Sequence, residues 1–157
     1  MKLMIKQRVF SWTDTYDVYD EYENSKYFVK AEFLSLAHKL HIFDRNDREI
    51  GVIRQKLLSF MPIFEIEKEG IMAGSIQKKF TFFKPRYEVH YKGWMVDGNF
   101  LGWDYHVYQE NRQIMTIHKE YLHWGDTYVI DFHDVLDEVD GLLLVIAIDA
   151  ANRSNNN

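Results

Sequence analysis

The segment from Gln77 to Arg86 combines the residue types best suited to binding an anionic ligand. Four cations lie within its last nine positions and are interleaved with phenylalanines: Lys78, Lys79, Lys84 and Arg86. Cations that meet anionic headgroups while aromatic rings insert at the interface attach proteins to lipid surfaces. The pattern therefore predicts a phospholipid headgroup site formed by these four side chains. The competing interpretation is a solvated strand face, because Lys78 and Lys79 correspond to the polar pair Gln55 and Lys56 in an internal repeat.

A second cluster is acidic and precedes the most apolar stretch of the chain. It consists of Asp131, Asp134, Asp137, Glu138 and Asp140. Carboxylate oxygens at this density could bind Ca²⁺ weakly, but the cluster lacks EF-hand spacing and Gly141 comes too late to be the mid-loop glycine. We therefore favour capping of the helix that follows and stabilisation of its positive end, and we predict no metal site.

Patterns typical of catalysis are missing from the sequence. There is no cysteine, which excludes thiolate metal ligands and a cysteine nucleophile. Of the seven histidines, His38 and His41 are three residues apart, a spacing that places them on opposite faces of a strand. Neither an HExxH nor a GxSxG motif occurs. We predict that the protein is not an enzyme and has neither catalytic residues nor a cofactor.

Composition narrows the class of protein further. A length of 157 residues suits one domain with one core. The formal charge of −5 argues against nucleic acid as a partner, since phosphate binding needs clustered excess cations. The first residues carry Lys2, Lys6 and Arg8 and no long apolar core, so they do not resemble a signal peptide. We expect a cytoplasmic protein that associates peripherally with a membrane if its ligand is a lipid.

A repeat of about 24 residues predicts the elements that must position these side chains. Its six copies begin at Ile5, Val29, Ile53, Ile76, Trp94 and Ile117. Each copy places a large apolar residue 11 positions after its first residue: Tyr16, Leu40, Phe64, Tyr87, Tyr105 and Tyr128. Period-2 alternation within the copies and turn formers between the runs predict two strands in each copy. Six copies then give twelve antiparallel strands.

The predicted fold is a closed barrel around a helix, because an open meander of this length would leave two unpaired edges. We expect one domain over residues 1–153, with strands over about 3–132, a central helix over about 136–151 and a disordered polar tail at 154–157. Nine of the ten residues in 142–151 are apolar, about half the roughly 20 needed to span a bilayer. A helix that is apolar on every side must be buried on every side, and a twelve-stranded barrel is wide enough to hold one.

Asp149 interrupts this apolar stretch. We expect it to reach the mouth of the barrel. The alternative is a buried carboxylate with a raised pKa.

These features together resemble a known family. The run Met4-Ile-Lys-Gln-Arg-Val-Phe-Ser-Trp12, the recurring Gln-Lys before Ser or Thr and an aromatic residue, and Tyr128-Val-Ile-Asp131 before the apolar helix are similar to the LURP-one-related family. The likeness is greatest to its small bacterial members, within the tubby C-terminal-like superfamily that includes the phospholipid scramblases. It extends from Lys2 to about Arg153 and implies a twelve-stranded barrel around a hydrophobic C-terminal helix.

The resemblance implies less about activity. Tubby domains bind phosphoinositides and scramblases are linked to calcium and lipid movement, whereas the bacterial members have no established role. Because a fold does not carry function across a superfamily, two functions stay open. One is a module that binds anionic phospholipid headgroups, and the alternative is a structural or protein-interaction module with no lipid ligand.

Overall fold

The computed structural model describes residues 1–6, 15–32, 37–57, 59–79, 86–123 and 125–154. Its strands are β1 (Lys2–Lys6), β2 (Tyr16–Asp20), β3 (Ser25–Glu32), β4 (Lys39–Asp44), β5 (Glu49–Gln55), β6 (Ile63–Lys68), β7 (Ile71–Lys79), β8 (Arg86–Tyr91), β9 (Met95–Asn99), β10 (Asp104–Gln109), β11 (Arg112–Leu122) and β12 (Gly125–Phe132). A 3₁₀ turn at Val135–Asp137 leads into the helix α1 (Glu138–Arg153).

All twelve strands form one antiparallel sheet in which neighbours follow the order of the chain, with one exception. The first strand pairs with the last, β1 with β12, so the sheet curves round on itself. The two edges of the sheet are instead β8 and β9, which are consecutive in the chain but share no ladder. We call this unpaired boundary between β8 and β9 the seam.

The internal repeat becomes a ring of cross-strand pairs on the inner face of the sheet. The apolar residue that lies 11 positions after the start of one copy is paired with the first residue of the next copy, and the last copy pairs with the first. The pairs are Tyr16 and Val29, Leu40 and Ile53, Phe64 and Ile76, Tyr105 and Ile117, Tyr128 and Ile5. All of these side chains are buried. The corresponding pair of Tyr87 and Trp94 is missing, because Trp94 lies before the start of β9.

The helix fills the interior of the barrel. Every residue from Asp140 to Ala151 is buried, as expected for a helix that is apolar on all sides. A Cβ atom at Gly141 would collide with the ring of Phe132, so the helix packs against β12 as closely as glycine allows. Within the described residues, no helix has both the length and the hydropathy needed to cross a bilayer.

The predicted fold class is confirmed, with twelve antiparallel strands in a nearly closed barrel and a C-terminal helix. The seam is where closure stops. The fourth copy of the repeat spans only 18 residues from Ile76 to Trp94, whereas the other copies span 23 or 24. Tyr87 and Trp94 are only 7 residues apart, whereas the corresponding paired residues of other copies are 12 or 13 apart. Trp94 therefore follows the end of β8 too closely to lie opposite Tyr87.

Candidate functional site

The acidic cluster at the start of α1 forms ion pairs with lysine and arginine side chains at one end of the barrel. Glu138 accepts hydrogen bonds from Lys26 Nζ at 2.8 Å and from Tyr27 Oη at 2.5 Å. Asp137 accepts one from Arg112 Nη1 at 2.9 Å. Both carboxylates are buried while their cations reach solvent. These contacts anchor the start of the helix to β3 and β11.

Asp140 is the most heavily engaged of these acids. It accepts hydrogen bonds from Lys68 Nζ at 2.7 Å, Tyr91 Oη at 2.8 Å and Lys92 Nζ at 2.5 Å. Burial of the carboxyl group acts to raise its pKa, but the bonds from Lys68 and Lys92 outweigh this and hold the pKa of Asp140 below its usual range. Burial of the Tyr91 phenol and its hydrogen bond to Asp140 raise the pKa of Tyr91.

This arrangement assigns the acidic cluster to anchoring and capping. Asp134 Oδ1 accepts a hydrogen bond from the backbone N–H of Leu136 at 2.9 Å and so caps the 3₁₀ turn. In the part of the chain that the structure describes, no group of three or more His, Asp or Glu side chains is placed to hold a metal ion.

The predicted headgroup residues divide between the two faces of the sheet. Lys78 has the same strand parity as the buried Ile76 and lies opposite Tyr87, so it belongs to the inner face near the barrel mouth. Lys79 and Arg86 lie opposite one another across β7 and β8 on the outer face. Lys84 is outside the described residues.

The charges at this corner do not balance. Lys79 Nζ lies 3.0 Å from Glu88 Oε2, and this contact is the largest of the causes that lower the pKa of Glu88. Partial burial lowers the pKa of Lys78. On the outer face, Lys79 and Arg86 therefore share one carboxylate, Glu88, among the β7 and β8 residues, while Lys78 lies on the inner face.

A cavity of about 790 Å³ opens at the seam beside Arg86. It is lined by Arg86 and Tyr87 of β8 and by the segment 96–101, which contains Val96, Asp97, Phe100 and Leu101. The volume is within the range of about 300–1,000 Å³ typical of ligand pockets. This cavity is a concave site formed beside the described headgroup cations.

Side chains bridge the seam at the cavity. Tyr87 Oη donates to Asn152 Oδ1 at 2.5 Å, and Asn152 Nδ2 donates to the carbonyl oxygen of Phe100 at 3.0 Å. The rings of Tyr87 and Phe100 meet edge to face, with centroids 5.4 Å apart. Asn152 therefore links β8, the loop after β9 and the end of α1 where a backbone ladder is missing.

Asp149 lies one turn inside this bridge and is a buried carboxylate, with only 5% of its surface exposed. Burial raises its pKa to about 7, although Arg153 Nε donates to its Oδ2 at 2.8 Å and acts in the opposite direction. Desolvation and the negative charge of Asp149 raise the pKa values of three tyrosine hydroxyls, those of Tyr16, Tyr87 and Tyr105. Of the two sequence-based alternatives for Asp149, the structure shows the buried one.

Sequence reasoning missed the seam and Asn152. Asn152 directly follows the apolar run and resembles an ordinary polar helix end. A usable signal was the short fourth copy of the repeat, since a missing segment must displace one strand relative to its neighbours. The separation of Lys78 from Lys79 was also predictable, because adjacent residues on a strand point to opposite faces.

Comparisons with known proteins agree with this architecture. A family model described as LURP-one-related matches residues 1–149. The uncharacterized protein YxjI of Bacillus subtilis (strain 168) is 31% identical over 128 residues, which cover 82% of this chain and 79% of YxjI.

A solved structure supports the fold independently of close sequence identity. An X-ray structure of a protein from Arabidopsis thaliana superposes with a TM-score of 0.64 at 15% identity. The match covers 95% of this chain and 90% of the plant protein.

Proposed function

Because the chain belongs to the LURP-one-related family and its bacterial relative YxjI is described only as uncharacterized, we propose its function from the geometry of the site. We propose a non-enzymatic domain that binds anionic phospholipid headgroups. The observation that carries the proposal is the surplus of positive charge on β7 and β8 beside the seam. Lys79 and Arg86 face each other directly across the two strands.

Like charges in directly opposed positions destabilise a sheet. The carboxylate of Glu88 pairs with Lys79, and the described residues of β7 and β8 offer no second carboxylate to Arg86 on this face. A phosphate group bound here would relieve the repulsion between Lys79 and Arg86.

An exposed apolar side chain accompanies these cations. Leu101 is 56% exposed and lines the same cavity as Arg86. A leucine beside surplus cations suits the boundary between headgroups and acyl chains. The net charge of −5 restricts the attraction to short range, since charges separated by more than a Debye length of about 8–10 Å are screened. We place such a protein in the cytoplasm, at the membrane surface, and the cysteine-free sequence is compatible with that compartment.

Co-sedimentation with vesicles tests the proposal. Binding to phosphatidylcholine vesicles should be weak, should rise with added phosphatidylserine or phosphoinositide, and should fall with salt. A variant in which the corner cations become glutamate should lose most of this binding, at least about tenfold, because each juxtamembrane cation contributes about 1 kcal/mol. The substituted residues are Lys78, Lys79, Lys84 and Arg86.

A control keeps the corner intact and changes three cations on β3 and on the turn between β4 and β5: Lys30, Arg45 and Arg48, each to glutamate. It is matched in charge by a second corner variant in which only Lys79, Lys84 and Arg86 become glutamate. Equal loss in both variants would mean non-specific attraction and would overturn the assignment of the site. Undiminished binding by the corner variant would do the same. If wild-type protein binds no vesicle composition, the structural or protein-interaction alternative replaces the lipid proposal.

A further inference from the structure

We propose that the seam binds an extended peptide segment of a partner protein, which pairs as an added strand with β8 or β9 and places an apolar side chain against Tyr87. It shares Arg86 and the cavity with the lipid proposal but goes beyond it, since its ligand is recognised through backbone hydrogen bonds.

The two edges of the sheet supply the backbone groups. Each of the other ten strands has a strand neighbour on both sides, whereas β8 and β9 each have one. Their facing edges span Arg86–Tyr91 and Met95–Asn99, and within these described strands no backbone hydrogen bond crosses the seam. Unpaired edges are templates for an added strand, and edges of this length fit a peptide of five or six residues.

The ring of repeat positions shows which contact is unfilled. In five copies of the repeat, the apolar residue 11 positions after the start has a buried partner directly opposite, as Phe64 has Ile76. Tyr87 is the sixth such residue, and no strand lies on its seam side. Phe100 packs edge to face on it from a loop and fills part of the space. An apolar side chain on an added strand would fill the rest.

The core is incompletely covered along the same line. Four apolar side chains beside the seam pack against the core but are only partly buried: Tyr87, Val89, Val96 and Phe100. Inner-face residues away from the seam, such as Ile42 and Ile66, are fully buried. The cavity of about 790 Å³ lies over this strip. A peptide side chain here would therefore gain apolar contact as well as ladder hydrogen bonds.

A side-chain bridge joins the two walls of the seam. Asn152 bonds to both Tyr87 and Phe100 at fixed distances of 2.5 and 3.0 Å. The cavity thus exists before any ligand arrives, and a preformed site reduces the ordering cost of binding.

The chemistry of the edges favours a peptide over an acyl chain. An acyl chain would cover the apolar strip but would desolvate edge N–H and C=O groups without replacing their hydrogen bonds, which costs free energy. An added strand satisfies those groups and presents alternate side chains to the cavity. Arg86 lines the cavity from β8 and Asp97 lines it from β9. The complementary peptide alternates β-branched with polar residues, and carries an acidic residue toward Arg86 and a basic or neutral one toward Asp97.

A displayed library of random hexapeptides, selected on the full chain, tests the proposal. Selected sequences should show period-2 alternation of β-branched and polar residues with an acidic position. The best synthetic peptide, added to isotope-labelled protein, should shift the amide resonances of residues 86–91 or 95–99 and slow their hydrogen exchange. N-methylation of alternate peptide amides on the paired side should reduce affinity about tenfold or more, because it removes ladder hydrogen bonds and leaves the side chains in place.

A charge exchange supplies the matched control. Arg86→Glu should weaken the acidic peptide, and replacing the acidic residue of the peptide by lysine should restore binding to that variant. Lys30→Glu, on the outer face of β3, should change nothing. The proposal is overturned if no sequence is enriched, if N-methylation has no effect, or if shifts map away from the seam. Preferential binding of a lysophospholipid, with competition against every selected peptide, would assign the seam to an acyl chain instead.

Discussion

The hydroxyl of Tyr87 and the side-chain carbonyl of Asn152, 65 positions apart in the chain, meet at 2.5 Å across the inner side of the seam. This bond joins an edge strand to the end of the central helix. It substitutes for the strand pair that the repeat supplies everywhere else, and it makes the helix terminus part of the cavity wall.

A double-mutant cycle measures that bond. We expect Tyr87→Phe to reduce the free energy of unfolding by about 0.5–1.5 kcal/mol. Asn152→Ala should cost about 1–3 kcal/mol, since it also leaves the carbonyl of Phe100 without its donor. The two effects should be less than additive in urea unfolding. Tyr22→Phe, at an exposed tyrosine, is the control and should stay within about 0.5 kcal/mol of wild type. Strict additivity would show that the bond contributes nothing.

Asp149 should make stability fall as pH rises. Its folded pKa of about 7 lies above the value of about 3.9 for an unfolded aspartate. The folded protein therefore holds the proton more tightly, and this contribution is fully present below about pH 4 and is lost as pH rises through about 7. Its size is at most on the order of 4 kcal/mol, at about 1.4 kcal/mol for each pKa unit.

Urea unfolding of wild type and Asp149→Asn between pH 5 and 8 checks this expectation. The difference in unfolding free energy should move in favour of the asparagine variant as pH rises. Asp104→Asn, at an exposed position, should give a difference that does not depend on pH in this range. A pH-independent difference for Asp149→Asn would show that Asp149 does not titrate there.

Asp140 should matter more to stability than an exposed ion pair. Asp140→Ala leaves Lys68, Lys92 and the hydroxyl of Tyr91 without their shared acceptor, so we expect a loss of about 2–4 kcal/mol. Asp126→Ala removes an exposed pair with Lys119 and should cost less than about 1 kcal/mol. Thermal unfolding of both variants makes the comparison, and equal losses would contradict the anchoring role of Asp140.

Arg86 should be nearly dispensable for stability while being needed for vesicle binding. Arg86→Thr removes the repulsion with Lys79 and retains a strand-forming residue. We expect the free energy of unfolding to stay equal or rise by about 0.2–1 kcal/mol. Chemical unfolding and vesicle co-sedimentation on the same preparation check both parts. A clear destabilisation would assign Arg86 a structural role that the headgroup proposal does not include.

Gly98 should not tolerate a side chain. Its backbone has φ +124°, and a Cβ atom would lie 2.6 Å from the carbonyl oxygen of Asp104. Gly98→Ala should therefore cost about 2–4 kcal/mol, from both left-handed strain and collision. Gly70→Ala is matched in having a positive φ of +79°, but has open space around it. It should cost only about 1 kcal/mol, and equal effects at the two sites would mean that β9 moves away from β10 freely.

Much of the fold was predictable because its determinants are local and repeated. The alternation within each copy defines strands, and the 11-residue spacing places residues such as Tyr16 and Phe64 on the inner face. The apolar run from Leu142 to Ala151 required a fully buried helix. The headgroup cations were less predictable as a group, since strand alternation separates Lys78 from Lys79.

The sequence by itself therefore determined the twelve strands, the helix and the inner-face residues, because period and hydropathy act over a few neighbouring positions. The tertiary structure decided what those elements meet. Asp140 finds Lys68 at a separation of 72 positions, and Asn152 finds Tyr87 at 65. The seam is also decided by the tertiary structure, since the lengths of all strands and turns around the ring determine whether β8 and β9 can form a ladder. Such contacts depend on closure of the barrel in three dimensions. The short fourth copy of the repeat indicates that a strand is displaced, but it does not indicate which side chains then meet.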